Sequence, residues 1–126
     1  MQSKTVDVHW LRPGIMEFIY RGEVLAADLA AGVRHYNDLS KAKVPLAQVV
    51  DTLGVISVPP ELRTELGPLL DGYRDRGGRH VVMIAGAAFT AMLGRSMSFG
   101  AGLKLSVFDN RKDALAFVEQ LVAEAT

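Results

Sequence analysis

The side chains that could carry chemistry are few and scattered. Ser57 lies in the stretch Val49-Val50-Asp51-Thr52-Leu53-Gly54-Val55-Ile56-Ser57-Val58-Pro59-Pro60-Glu61, with Thr52 and Thr64 nearby. A hydroxyl there is a candidate phosphosite, because a phosphate would add about −1.5 to −2 charges to the surface. The plainer role for Ser57 is a loop hydroxyl bonded to local backbone. His9, His35 and His80 have neither metal-ligand spacing nor a paired carboxylate, so exposed or internally satisfied imidazoles explain them better than a metal site. Arg74, Arg76 and Arg79 cluster ahead of an apolar run, but Asp71 and Asp75 dilute them, which favours a solvated turn over a phosphate or nucleic-acid patch. Gly86-Ala87-Ala88 lacks the glycine spacing and the Lys-Ser/Thr of a phosphate loop. Its backbone amides are still able to hold an anion if a helix starts there. Phe89, Met92, Met97 and Phe99 form a soft apolar group beside a Ser/Gly stretch, suited to core packing or to an apolar ligand. A nucleophile needs a base within hydrogen-bond reach. No Ser-His-Asp arrangement or carboxylate pair can be argued from this order, so no catalytic residue and no cofactor is expected.

The elements that position these groups are easier to read. The chain has 126 residues, 49% of them apolar, with 14 basic and 14 acidic side chains and no cysteine. That is enough to bury a core in one domain, expected to span residues 1–126. The charge balance argues against disorder and against nucleic-acid binding by bulk charge. Without cysteine there is no disulfide framework or thiolate metal site. The first eight residues lack a secretory core, and no apolar run approaches the ~20 residues that span a bilayer, so a cytoplasmic protein is expected.

Residues 5–11 and 15–20 read as strands around Arg12-Pro13-Gly14, an antiparallel hairpin signal, and Gly22 is expected to end the second. Leu25, Leu29, Val33 and Tyr36 recur at helical spacing and predict a helix over 24–39. Residues 46–50 predict a third strand that stops at Asp51 and enters a tight loop through Gly54. Pro60 then suits the first position of a helix carrying Leu62, Leu66, Leu69, Leu70 and Tyr73, with Gly67-Pro68 predicting a kink or restart. Residues 80–85 are apolar enough for an interior strand. A helix bearing Phe89 and Met92 follows, then an edge-like strand over 104–108. The last helix is expected to be capped by Asn110, with Asp113 in its first turn. The order β-β-α-β-α-β-α-β-α implies right-handed crossovers and a mostly parallel α/β sheet with an antiparallel N-terminal hairpin strand.

Several pieces, in order, resemble the STAS family of sulphate-transporter and anti-sigma-factor-antagonist domains, including the SpoIIAA-like proteins. Gly22-Glu23 resembles the family's glycine–acidic step into its first helix. Val49-Val50-Asp51-Thr52-Leu53-Gly54-Val55 is similar to its apolar-apolar-Asp-Leu-Ser-Gly-Val strand and loop. Gly77-Gly78-Arg79-His80-Val81-Val82-Met83 resembles its glycine pair and following strand, and Val107-Phe108-Asp109 with Asp113-Ala114-Leu115 its closing strand and helix. The resemblance covers almost the whole chain and is more specific for the fold than for a function.

The resemblance implies a non-catalytic module that binds a protein partner, such as a kinase-type anti-sigma factor or another signalling protein. In the family, a serine at the start of the second helix is phosphorylated to turn binding off. Here Pro59-Pro60-Glu61-Leu62 occupies the place of Asp-Ser-Ser-Gly, so the phosphorylatable serine is missing and the standard switch is expected to be absent. The partner-binding surface is therefore expected at Asp51, Thr52, Gly54, Ser57, Pro59, Pro60 and Glu61, with a homodimer also compatible. The alternative is a small apolar or lipid ligand held near Gly86, Phe89, Met92, Met97 and Phe99.

Overall fold

The computed structural model describes residues 5–86 and 103–125. Strands β1 (Val6–Arg12) and β2 (Ile15–Glu23) form an antiparallel pair across Pro13-Gly14, with His9 opposite Glu17. Gly14 has φ 89°, a left-handed value that a residue without Cβ adopts freely in a tight reversal. Then come α1 (Ala26–Leu39), β3 (Ala47–Ser57), α2 (Glu61–Asp75), β4 (His80–Ile84), β5 (Lys104–Phe108) and α3 (Arg111–Ala125). The strands lie in the order β1-β2-β3-β4-β5 and are parallel from β2 onward.

Crossovers of one hand that step the same way along a sheet put their helices on the same face. Accordingly α1 and α2 share one face, where Leu29, Tyr36, Leu66, Leu69 and Tyr73 pack on Val8, Phe18, Val50, Val81 and Met83. α3 follows the last strand and covers the opposite face, with Ala114 and Val118 on Ile15, Ala47, Val49, Val82 and Ile84. Buried on both sides, β4 reads as an unbroken apolar run, while β5 at the edge leaves Leu105 and Val107 exposed.

Tyr73 fastens the α2 end of this layer. Its ring is buried, and its hydroxyl lies 3.1 Å from the carbonyls of Pro45 and Leu46 and 3.2 Å from that of His80. Burial pushes its pKa up to about 12, so it remains a donor. The glycine pair expected before β4 has a packing reason: a Cβ on Gly78 would sit 2.3 Å from the Tyr73 ring.

The strand and helix types over the described residues agree with the sequence expectations, while several ends shift by a residue or two and larger differences fall at β2, β3 and α2. β2 does not end before Gly22 but reaches Glu23, with Gly22 itself at φ 65°. β3 does not stop at Asp51; it extends to Ser57, because the longer β2 supplies partners for Gly54, Val55 and Ser57 across two register irregularities. Extended backbone also suits the β-branched Thr52, Val55 and Ile56. Pro68 does not break α2, which is one helix from Glu61 to Asp75. The proline costs one backbone bond, and the burial of Leu66, Leu69, Leu70 and Tyr73 around it outweighs that loss. The expected helix carrying Phe89 and Met92, and the ligand candidates Met97 and Phe99, lie outside the described residues.

Candidate functional site

The stretch singled out in the sequence divides into a braced inner part and an exposed outer part. Asp51 is half-buried on the α3 face. Its Oδ2 accepts from Arg111 Nη1 at 2.9 Å, and its Oδ1 accepts from the Leu53 amide at 3.1 Å. Thr52 points to the other side of the strand, is buried, and donates its hydroxyl to the Ile84 carbonyl at 2.8 Å. Both therefore hold β3 against its neighbours, and the Thr52 hydroxyl is closed to a modifying enzyme.

Past Thr52, β3 has outrun β4, whose last paired residue is Ile84 opposite Asp51. Val55 and Val58 still pack on the α1–α2 core. Between them Ile56 is 80% exposed, with Leu53 at 47% and Leu25 at 56%. The Val24 amide donates to the Ser57 carbonyl at 2.9 Å, which brings Leu25 close to this end of β3. Gly54, Ser57, Pro60 and Glu61 are exposed, and Pro59 is half-buried. Pro60 already has helical angles (φ −56°, ψ −28°) one residue ahead of α2, and Glu61 places its carboxylate in the first turn. The result is a projecting rim with apolar side chains, a free hydroxyl and one carboxylate. Of the other expected site residues only Gly86 is described, exposed just beyond β4.

A second constellation was not foreseen. Glu17 is 1% exposed in the middle of β2. Arg111 Nη1 lies 2.6 Å from its Oε2, and His9 Nε2 lies 2.8 Å from its Oε1. Arg111 thus joins Glu17, on β2, and Asp51, on β3, to the first residue of α3. Bonding to Glu17, with help from Asp51 and against the cost of partial burial, holds the guanidinium pKa above its ordinary value. The available signal was a lone carboxylate inside the apolar strand Ile15-Met16-Glu17-Phe18-Ile19-Tyr20. The cluster offers no nucleophile, and no group of three or more metal-ligating side chains exists among the described residues. It does structural work, tying α3 to the sheet.

Among the described residues, the mixed sheet with an antiparallel first pair, two helices on one face and a closing helix on the other has a SpoIIAA-like fold. The solved structure of the anti-sigma factor antagonist SpoIIAA, in its unphosphorylated form, superposes with a TM-score of 0.67 at 8% identity, covering 91% of this chain and 97% of that one. An anti-sigma factor antagonist from Mycobacterium paratuberculosis gives 0.60 at 18% identity, over 93% and 95% of the two chains. An uncharacterised protein of the DUF3478 family from Shewanella loihica, described as having a SpoIIAA-like fold, gives 0.64 at 13% identity, over 93% and 98%. No protein-family model matches the sequence, and no curated protein does. No helix among the described residues is long and apolar enough to cross a membrane.

Proposed function

We propose that this chain is a non-catalytic regulatory module that docks a protein partner on the projecting end of β3 and the start of α2. The supporting observation is the exposure of Leu53 and Ile56 on a strand that has outrun its neighbour, beside exposed Ser57 and Glu61. Apolar side chains held outward on braced backbone are what a partner surface can bury at little ordering cost. Asp51 and Thr52 serve this face from behind; Gly54, Ser57, Pro59, Pro60 and Glu61 belong to it directly. Two of the solved structures with this fold are anti-sigma factor antagonists. Their chemistry suggests a kinase-type anti-sigma factor or a related cytoplasmic signalling protein as the partner.

With Pro-Pro-Glu at the head of α2, binding is read as constitutive there and not relieved by a phosphoserine. Ser57 is an exposed hydroxyl whose modification would place a dianion beside Ile56 and weaken docking. The test is titration of purified candidate anti-sigma factors against the wild type, Ile56→Asp, Ser57→Glu and Glu61→Lys. Ile56→Asp should weaken binding by about tenfold or more, since roughly 1.4 kcal/mol is a factor of ten. Three variants all within twofold of wild type would remove this face from the reading. Self-association measured alongside tests whether the occupant is a second copy. The alternative apolar or lipid ligand near Phe89, Met92, Met97 and Phe99 requires a retained ligand mass in native mass spectrometry, and a clean apo mass without thermal gain from lipids counts against it.

A further inference from the structure

Leu53 is turned outward at an irregularity in its own strand. Between two paired positions β2 advances from Ile19 to Arg21 while β3 advances from Asp51 to Gly54, so β3 carries one residue more. An inserted residue leaves a backbone group outside the ladder and re-aims the side chains around it. Here the Leu53 amide goes to the Asp51 carboxylate, whose Oδ1 accepts it at 3.1 Å, and the Leu53 side chain is exposed. The way Leu53 is presented therefore depends on where that carboxylate is held.

Two anchors hold it. Thr52, between Asp51 and Leu53, is pinned to β4 through its hydroxyl, 2.8 Å from the Ile84 carbonyl. On the α3 face, Arg111 Nη1 stands 2.9 Å from Asp51 Oδ2 and 2.6 Å from Glu17 Oε2. Arg111 has little freedom of its own. It opens α3, whose Ala114 and Val118 are fully buried on the sheet, and its other partner, Glu17, is buried in β2. Bonds between a guanidinium and a carboxylate are among the strong ones, and one oxygen held this way fixes where the other points. Without the guanidinium the Leu53 amide keeps its acceptor, but the carboxylate is free to change rotamer and the bond opens more often.

We propose that Arg111 is a positioning residue for the docking rim: acting through Asp51, it sets how Leu53 is presented to a partner. Its effect on binding rests on the docking face proposed above, whereas its effect on Leu53 is a property of the free chain. The test uses the double variant Glu17→Leu with Arg111→Met, in which no buried charge is left unpaired and stability is largely kept. Amide hydrogen exchange of the free double variant should be faster at Leu53 by about threefold or more, with the β4 amides unchanged, because exchange at an exposed residue reports local opening. A smaller change at Leu53 overturns the proposal. Asp51→Ala leaves Glu17 and Arg111 together and should speed the same amide at least as much; a smaller effect overturns it as well. Against an anti-sigma factor whose binding Ile56→Asp weakens, the double variant should also bind about threefold or more weakly than wild type. Wild-type affinity overturns the positioning role, and so does weaker binding at an unchanged Leu53 rate, since Arg111 would then touch the partner itself. If Ile56→Asp weakens no titration, it is the docking face that is wrong, and the Leu53 exchange rate still decides whether Arg111 acts through Asp51.

Discussion

Replacing Arg111 by methionine removes the cation shared by Glu17 and Asp51 while keeping an apolar stem over the sheet. Glu17 is the side chain that suffers, since Asp51 keeps the Leu53 amide and lies nearer solvent. Breaking a buried ion pair on one side costs ~3–5 kcal/mol, because the surviving charge stays desolvated. The guanidinium itself is 38% exposed and His9 still reaches Glu17 at 2.8 Å, so the low end, about 3 kcal/mol, applies here. For a chain of this length that is roughly a 10 °C fall in Tm. Urea unfolding at neutral pH reads the loss directly as a lower midpoint at unchanged slope. Adding Glu17→Leu should recover most of the stability, because no buried charge is left unpaired. A single variant that loses under 1 kcal/mol, or a double variant no better than the single, refutes the assignment of Glu17 as the buried partner of Arg111.

Other substitutions test the packing and the caps. Gly78→Ala should lower stability by ~1–3 kcal/mol by forcing a methyl into the Tyr73 ring, measured by thermal unfolding and accompanied by loss of the Tyr73 environment in near-ultraviolet spectra. Asn110→Ala should cost about 1 kcal/mol, since its Oδ1 accepts from the Asp113 amide at 2.8 Å at the head of α3. Burial, and next to it Lys104, lowers the His80 pKa below its ordinary value. The unfolded chain therefore takes up that proton first. His80 favours the folded state above about pH 6.5, and stability is lost as pH falls through the depressed folded-state pKa. His80→Gln should flatten the fall in Tm between pH 7 and pH 5, and an unchanged profile argues that His80 contributes nothing to it.

The fold was legible because its signals are local and repeated. The apolar run of β4, the Leu/Tyr spacing of α1 and α2, the Pro13-Gly14 reversal and the Asn110 cap each state their own element. What escaped the sequence depends on pairing at a distance. The extension of β3 to Ser57 exists because β2 also extends to Glu23, and nothing in residues 51–57 announces that neighbour. Gly54 looked like the hinge of a turn, yet the left-handed backbone fell to Gly22 on the adjacent strand. Thr52 looked like a surface hydroxyl, and its partner is a carbonyl 32 positions later in the chain. The Glu17–Arg111 pair joins residues far apart in sequence, so it was visible only as an unexplained acid in an apolar strand. At the candidate site, nothing in the sequence divides residues 51–61 into bracing and exposed halves, because that division depends on partners on other strands.

The unbroken strand order β1-β2-β3-β4-β5 has a kinetic corollary. Among the described strands, every rung of the ladder joins neighbours in chain order, so each pairing closes over one connection at a time. Loop-closure entropy is then met in small instalments, and assembly can proceed by accretion from whichever pair forms first. Such a layout favours refolding within milliseconds to seconds and leaves both outermost ladders as the places where fraying begins.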